Sequence, residues 1–189
     1  PNTVAYDLPF GCPGWLQAMI QADYYIKSGD AHNILVIGAD ILSRISDPHD
    51  RDSMIYADGA GATLLTSQKS TTPTGILAHK TRSDTLEHSE MLFMGDSYLP
   101  ENGTKEGVYL KMYGRKLYQY ALNHVPGAIQ ACLHKSGIPL SEIKKVLIHQ
   151  ANGKMDDAIL NRLYKLEDDL SVPVDVMPMT IYWLGNSSV

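Results

Sequence analysis

Apolar residues along this chain recur in two alternating patterns, one with helical spacing and one with the length of a buried strand. Helical spacing runs from Trp15 to Ser28, over residues 110–135 and over residues 152–166. Strand-like apolar segments lie at residues 33–39, 56–65, 76–81, 146–148 and 172–177. We therefore predict an α/β fold in which helices pack against a largely buried sheet.

Glycine and proline residues refine these boundaries. Gly29 follows the first helical pattern and is expected to end that helix. Pro126 lies inside the second pattern and is expected to kink or restart the helix. The polar residues 82–107 are interpreted as an excursion with a hairpin turn at Asn102-Gly103.

Two local interpretations concern the strands. The nearly continuous apolar run 33–39 is typical of a strand covered on both faces. The small residues at 57–62 resemble a phosphate-binding glycine loop, but no helical pattern follows them. Close packing of a strand against a helix is therefore the favoured interpretation of that segment.

The composition is that of a globular protein without specialised surfaces. Of the 189 residues, 44% are hydrophobic and 20% are charged. The net charge of −5 gives no reason to expect nucleic-acid binding, and no apolar run is long enough to span a membrane. The two cysteines, Cys12 and Cys132, suggest no disulfide framework, so we expect a reducing, cytoplasmic location.

Cys12 lies at the junction between an extended segment and the first helical pattern. We predict that it caps the helix, with Pro13 at the first helical position and glycines on either side at Gly11 and Gly14. The free N–H groups of a helix N-terminus favour a thiolate and can also hold an oxyanion. The alternative is that Cys12 is a small buried apolar residue.

Two further residues could act with this thiol. His149 directly follows the apolar segment 146–148, and side chains just beyond strand ends often line the site of an α/β protein. Asn186 lies in a Gly-Asn-Ser turn. Cys, His and Asn together can activate a thiol and polarise a carbonyl group, although a structural histidine and an ordinary turn are the alternatives. Spacing alone does not show that the three residues meet.

Short motifs in order along the chain resemble β-ketoacyl-acyl carrier protein synthase III of the thiolase superfamily. They are Asp7-Leu8 with Gly11 to Trp15, Ser28-Gly29, Val36 to Asp40 with Ser43-Arg44, Asp47-Pro48 with Asp50-Arg51, Asp58 to Ala62, His149 to Asn152, and Gly185 to Ser188. Each motif alone is weak, but the set is specific.

The resemblance implies a thiolase-like layered αβαβα architecture, here incomplete, and an acyltransferase activity. In that family Cys12 would accept an acyl group from acyl-CoA. His149 and Asn186 would promote decarboxylation of malonyl-acyl carrier protein and stabilise the enolate. The product would be a 3-oxoacyl carrier protein, at the start of fatty acid or polyketide synthesis.

The resemblance also implies substrate contacts, partners and chain organisation. Arg51 would contact the CoA nucleotide, Tyr56 would line the acyl pocket, and Lys154 stands where the family often has arginine. Acyl-CoA and acyl carrier protein would be the partners of a homodimer that needs no cofactor or metal. We expect a central piece of a condensing enzyme, with the nucleophile half at about 1–75, the excursion at about 76–109 and the second half at about 110–189.

Departures from the family pattern, and two rival functions, complete these expectations. Gly11 and Pro13 replace the small residues more usual beside the cysteine, which suggests a different acyl preference. A Cys-His-Asn cysteine hydrolase would use the same three residues in the same order. A non-catalytic acyl-CoA or carrier-protein binding module would leave Cys12 inert.

Overall fold

The first structural unit is a helix packed on a two-stranded antiparallel sheet. The computed structural model describes residues 3–99, 107–167 and 171–188. Helix α1 spans Gly14–Ser28, strand β1 spans Asn33–Ile41 and strand β2 spans Asp58–Thr66. Gly29 ends α1 with a positive φ of 84°, and its N–H bonds to the carbonyl of Ile26, as the sequence predicts.

The sheet of β1 and β2 is covered on one face only in the described residues. The register pairs Val36 with Thr63 and Leu35 with Leu64. Val36 is buried, whereas Leu35, Ile37 and Leu64 are 58%, 63% and 63% exposed. The expectation of a strand covered on both faces is therefore wrong for this chain, because α1 packs on the sheet and no described layer covers its other face.

The middle of the chain contains short elements. Two 3₁₀ helices, Leu42–Arg44 and Arg51–Ile55, connect β1 to β2, and the four-residue helix α2 follows at Thr85–His88. Strand β3 (Leu92–Gly95) pairs antiparallel with β4 (Tyr109–Met112). This pairing agrees with the predicted hairpin excursion, although the turn expected at Asn102-Gly103 lies outside the described residues.

The second structural unit is a pair of packed helices. Helix α3 spans Gly114–Ser136 and helix α4 spans Gly153–Leu166, with Asn152 as its N-cap. Their core contains Leu140, Leu160, Leu163, Tyr164 and Val176. A 3₁₀ turn at Leu140–Glu142 precedes α4, and the short helix α5 at Ile181–Leu184 follows it.

Helix α3 is continuous through Pro126, so of the two predicted outcomes, a kink or a restart, the restart is wrong and the kink stays a prediction. A proline has no N–H to donate to the carbonyl four residues earlier, which here belongs to Leu122. Nη1 of Arg162 on α4 donates to that carbonyl at 2.9 Å. The neighbouring helix thus replaces the missing hydrogen bond.

Three predicted strands are absent from the described residues, namely those at 76–81, 146–148 and 172–177. A strand requires a ladder partner. The N–H of Val146 bonds to the carbonyl of Val176 at 2.9 Å, but this single bond builds no ladder. Apolar segments of strand length are therefore present without the neighbours that would make them strands.

A buried ion pair joins the loop before β2 to strand β4. Nζ of Lys111 donates to Oδ2 of Asp47, and their side chains are 2% and 0% exposed. The hydroxyl of Ser97 and the N–H of Tyr98 also donate to the Asp47 carboxylate.

Among the described residues, no helix is both long enough and apolar enough to cross a membrane. The proposed division of the chain near residues 75 and 110 stays a prediction.

Candidate active site

Cys12 lies in the turn that enters helix α1. The N–H of Gly14 bonds to the carbonyl of Gly11 at 2.7 Å, which closes the turn around Cys12. The helix begins at Gly14 with Pro13 as N-cap, and the carbonyl of Pro13 accepts the N–H of Gln17 at 3.0 Å. The predicted N-cap at Cys12 is therefore one residue too early, because Pro13 supplies the first carbonyl of the helix.

The structure brings His149 and Ser188 to the Cys12 thiol. His149 interacts with the Cys12 thiol and lowers its pKa, and the hydroxyl of Ser188 donates to Sγ of Cys12 at 3.5 Å. Cys12 is half-buried, and the His149 side chain is exposed. The interaction between Cys12 and His149 is compatible with one site, and the catalytic roles of the two residues stay predictions.

The two side chains shift each other's protonation equilibrium. The hydrogen bond with His149 lowers the pKa of the Cys12 thiol, and this effect exceeds the opposing effect of burial. Burial alone would lower the pKa of His149, but the hydrogen bond and charge of Cys12 raise it. Both shifts favour a thiolate beside an imidazolium, the form in which a cysteine is nucleophilic.

Asn186 is held next to this pair by its backbone. Its N–H donates to the carbonyl of Ile55 at 2.7 Å, and its carbonyl accepts the N–H of Ala57 at 2.8 Å. Its Oδ1 accepts the N–H of Ser188 at 3.0 Å. The described contacts therefore join Asn186 to Ser188, and through Ser188 to Cys12, rather than directly to Cys12 or His149.

Close backbone approaches seat the turn that carries Asn186. Gly185 has φ 72°, and a Cβ there would lie 2.9 Å from Cβ of Ala57. A Cβ on Gly59 in β2 would lie 2.6 Å from Cβ of Ser187. Only glycine fits at these two contacts without displacing the turn.

Gln150 connects the His149 segment to the Asn186 segment, a role that the sequence analysis missed. Its Oε1 accepts the N–H groups of Thr180 and Ile181 at 2.7 and 2.8 Å. Its Nε2 donates to the carbonyl of Pro178 at 3.1 Å. The residue belongs to the His-Gln-Ala-Asn motif, but nothing in the sequence indicated which backbone groups it would bind.

Tyr56 is joined to the Asn186 turn, and the charge of Cys12 acts on its hydroxyl. It forms a parallel bridge with Asn186, and its hydroxyl donates to Sδ of Met112 at 3.9 Å. Burial, together with the charges of Asp50, Asp52 and Cys12, raises the pKa of Tyr56 to about 12. Tyr56 is therefore neutral at ordinary pH and borders Cys12, although its predicted place in an acyl pocket stays a prediction.

Arg51 and Lys154 are both exposed, and neither is brought to the Cys12–His149 pair by a described contact. Arg51 begins the 3₁₀ helix that Asp50 caps. Lys154 lies in the first turn of α4, where its N–H donates to Oδ1 of Asn152 at 3.1 Å. Their predicted contacts with a nucleotide or phosphate group stay predictions.

Asp156 is a second residue that the sequence analysis missed. It lies one turn into α4 and is fully buried, and neither carboxylate oxygen has a hydrogen-bond partner of ordinary geometry among the described residues. Within the part of the chain that the structure describes, no group of three or more His, Cys, Asp or Glu side chains could hold a metal ion.

The chain is similar to known proteins in both sequence and structure. Residues 6–85 match the family model of 3-oxoacyl-[acyl-carrier-protein] synthase III. The β-ketoacyl-[acyl-carrier-protein] synthase III of Thermosynechococcus vestitus is 34% identical over 99% of this chain and 56% of its own length. The chain thus spans about half the length of the curated relatives that it matches.

Solved structures show the same likeness. The synthase III of Pseudomonas aeruginosa aligns with a TM-score of 0.80 at 24% identity, over 99% of this chain and 55% of its own. The synthase III of Thermus thermophilus aligns with a TM-score of 0.78 at 28% identity, over 97% of this chain and 55% of its own.

The alignments with these solved structures, together with the helices and short sheets described above, define a thiolase-like α/β protein, as the sequence predicts. Sequence relatives that align along almost the whole chain narrow this class further. The chain belongs to the β-ketoacyl-acyl carrier protein synthase III family.

Proposed function

We propose that this chain supplies the acyl-accepting cysteine and the histidine of an enzyme that condenses an acyl-CoA with malonyl-acyl carrier protein. The observation that carries the proposal is the position of Cys12 directly before α1, where the hydroxyl of Ser188 donates to Sγ at 3.5 Å and His149 lowers the pKa of the thiol. A thiolate at the start of a helix is a suitable nucleophile for a thioester carbonyl.

In the first half-reaction Cys12 Sγ attacks the acyl-CoA carbonyl. The tetrahedral intermediate collapses, the carbon–sulfur bond to CoA breaks, and the CoA thiolate takes the proton of the His149 imidazolium as it leaves. Acylation removes the negative charge from Sγ, and with it the interaction that raises the pKa of His149. The imidazole then returns towards its neutral form, which is the form that serves as a hydrogen-bond donor without adding a charge.

In the second half-reaction malonyl-acyl carrier protein loses carbon dioxide. His149 and Asn186 donate hydrogen bonds to its thioester oxygen, where negative charge develops as the carbon–carbon bond breaks. The resulting carbanion attacks the acyl-cysteine carbonyl, and Cys12 leaves as a thiolate. The product is a 3-oxoacyl carrier protein. Donors aimed at developing charge lower the barrier more than they strengthen substrate binding.

We further propose that Arg51 contacts the CoA nucleotide, that Tyr56 borders the acyl chain and that Lys154 attracts a phosphate group near the entrance. The position of Tyr56 beside Cys12 and the exposure of the two cations support these assignments. We also propose a cytoplasmic homodimer that uses no cofactor or metal. Its support is the family resemblance.

The test is the intact mass of the purified protein after mixing with a panel of acyl-CoAs in the absence of malonyl-acyl carrier protein. The expected result is one added acyl group on the wild type and on Cys132→Ser, and none on Cys12→Ser. Adding malonyl-acyl carrier protein should then discharge the acyl group into a 3-oxoacyl product.

Two results would contradict the proposal. An acyl group that is lost to water without formation of a carbon–carbon bond would indicate a cysteine hydrolase. A folded wild type that gains no acyl group from any acyl-CoA or acyl carrier protein would indicate a binding module with an inert Cys12.

A further inference from the structure

The first turn of α4 contains a buried acidic side chain that the proposed reaction does not use. Asp156 is 0% exposed, and its neighbours on the same helix include the buried residues Ile159 and Leu160. Neither carboxylate oxygen has a hydrogen-bond partner of ordinary geometry among the described residues. Burying an acid in this way destabilises a fold, and an apolar side chain of similar size would pack there at lower cost.

The position of Asp156 is fixed relative to His149. The N–H of Ala151 bonds to the carbonyl of His149 at 3.1 Å, and the N–H of Asp156 bonds to the carbonyl of Asn152 at 3.0 Å. The Asn152 side chain caps the helix between them. The turn and the cap together form a short hydrogen-bonded connection between the backbone of His149 and that of Asp156.

Few charged groups interact with either side chain. The groups whose charges act on His149 are Cys12 and Asp156. The groups whose charges act on Asp156 are His149 and Asp157, and the backbone of Asn152 also favours the ionised carboxylate. Asp157 is exposed and opposes ionisation of its neighbour. The charges of one thiol and one buried carboxyl group therefore act on the imidazole.

We propose that Asp156 is a positioning residue of this site: its buried carboxylate stabilises the imidazolium form of His149 and, through it, the thiolate form of Cys12. The proton leaves Cys12 Sγ and is bound by the imidazole of His149. Asp156 stays negatively charged and takes no proton in this step. The inference rests on the proposed function only in that it concerns the same thiol.

The effect should depend on pH in a definite direction. Burial raises the pKa of Asp156 to about 6, although the charge of His149 partly opposes the rise. Above this pH the carboxylate is ionised and supports the imidazolium. Below it the carboxyl group is neutral, so the wild type and a neutral variant should behave alike.

The experiment compares Asp156→Asn with Asp157→Asn, both in a Cys132→Ser background so that Cys12 is the only thiol. The rate of Cys12 alkylation by iodoacetamide is measured as a function of pH for each purified protein. We expect the midpoint of the profile to move up by about one pH unit in Asp156→Asn, the lower end of the range for a nearby charge. The exposed neighbour Asp157→Asn should leave the midpoint unchanged.

A second variant separates charge from packing. Asp156→Leu removes the buried polar group, so its thermal unfolding temperature should not fall, while the alkylation profile should move as it does in Asp156→Asn. If Asp156→Asn does not fold, Asp156→Leu alone supplies the comparison. An unchanged midpoint in a folded Asp156 variant overturns the inference.

The acylation assay keeps this inference separate from the proposed function. A wild type that accepts an acyl group while the Asp156 variants keep the wild-type alkylation profile retains the function and overturns the inference. If the alkylation profile moves in the Asp156 variants but the wild type accepts no acyl group, the inference is retained and the proposed function is overturned.

Discussion

Cys12 and His149 illustrate how two ordinary side chains acquire reactivity from each other. The imidazole lowers the pKa of the thiol, and the thiolate raises the pKa of the imidazole. Each shift depends on the partner's charge, so removal of either side chain should return the other towards its ordinary behaviour.

Replacing His149 should therefore make Cys12 less reactive at neutral pH. Without the hydrogen bond, burial is left to raise the pKa of the Cys12 thiol, so the thiolate form appears at higher pH. We expect His149→Ala to reduce iodoacetamide alkylation at pH 7 by roughly ten-fold, which corresponds to a shift of about one pKa unit. The exposed His134 on α3 provides the control, since His134→Ala should leave the rate unchanged. Equal rates in wild type and His149→Ala would contradict the pairing.

The buried pair of Lys111 and Asp47 is the second feature at this scale. Burial alone would raise the pKa of Asp47, but Lys111 and the N–H groups of His49 and Tyr98 hold it well below its usual range. A folded-state pKa below the unfolded value of about 3.9 stabilises the fold above that pH. The stabilisation is lost as the pH falls from about 4 towards the folded-state pKa.

Lys111→Met should accordingly cost about 3 to 5 kcal/mol of unfolding free energy at neutral pH, because it leaves a buried carboxylate unpaired. Urea unfolding at neutral and acidic pH measures the loss, and the difference between wild type and variant should shrink in acid. Lys27→Met, which breaks an exposed pair with Asp23, is the matched control and should change stability little. A Lys111→Met protein as stable as the wild type would show that the pair does not hold the loop to β4.

Among the elements, strand β2 and the turn at 185–188 pack closely because Gly59 in β2 has no side chain. A Cβ on Gly59 would come within 2.6 Å of Cβ of Ser187, whereas one on Gly61 in the same strand would meet nothing within 4 Å. Gly59→Ala should therefore displace the turn that holds Asn186 and Ser188.

We expect Gly59→Ala to reduce the proposed condensation activity far more than Gly61→Ala, with a smaller effect on the proposed acylation of Cys12 than on the step proposed to use Asn186. Separate rates for acylation and for product formation would show the difference. Equal losses in both variants would mean that the glycine-rich strand, rather than the contact with Ser187, is what matters.

A hydrogen bond from Arg162 joins α4 to α3 at the carbonyl of Leu122, to which Pro126 has no N–H to donate. Arg162→Leu removes the donor to the Leu122 carbonyl, and we expect a loss of about 1 to 3 kcal/mol for a polar group left unpaired. Pro126→Ala restores a backbone N–H to the same carbonyl. The double variant should therefore lose less than the sum of the single variants, and unfolding free energies from a double-mutant cycle would measure the coupling. Strict additivity would mean that Arg162 does not replace the proline's missing bond.

An element could be predicted from the sequence when neighbouring residues determine it, and could not when residues distant in the chain do. The helices from Gly14, Gly114 and Gly153 and the strand at 33–39 depend on local apolar spacing and caps, and they were predicted. The second helix was predicted to begin at about residue 110, which is wrong because β4 occupies residues 109–112 by pairing with β3. The segments 146–148 and 172–177 had the composition of strands, but a strand also needs a partner. The bonds of Gln150 and the burial of Asp156 depend on distant residues, so nothing in the local sequence indicated them.

For the whole molecule, the exposed area is larger than its mass predicts. The accessible surface is 13461 Å² for 20.9 kDa. A compact monomer of that mass exposes about 9,000 Å². Exposed apolar side chains on β1 and β2, such as Leu35, Ile37 and Leu64, are part of the difference. The chain also spans only about half the length of its curated relatives.

The 189-residue chain by itself should therefore bind the dye ANS and elute from size exclusion above its monomer mass, since large apolar patches promote association. Replacing Leu35 and Ile37 with glutamate should reduce both effects without loss of the far-ultraviolet circular dichroism signal. A monodisperse monomer that leaves ANS fluorescence unchanged would contradict this expectation.

The hydrogen bond between Ser188 and Cys12 joins residues 176 positions apart. Closing so long a loop is slow and entropically costly compared with forming a helix or a hairpin. During synthesis the hydroxyl of Ser188 is therefore made 176 residues after the thiol of Cys12. Until those residues have been added and folded, the cysteine lacks this neighbour, which protects it from premature chemistry.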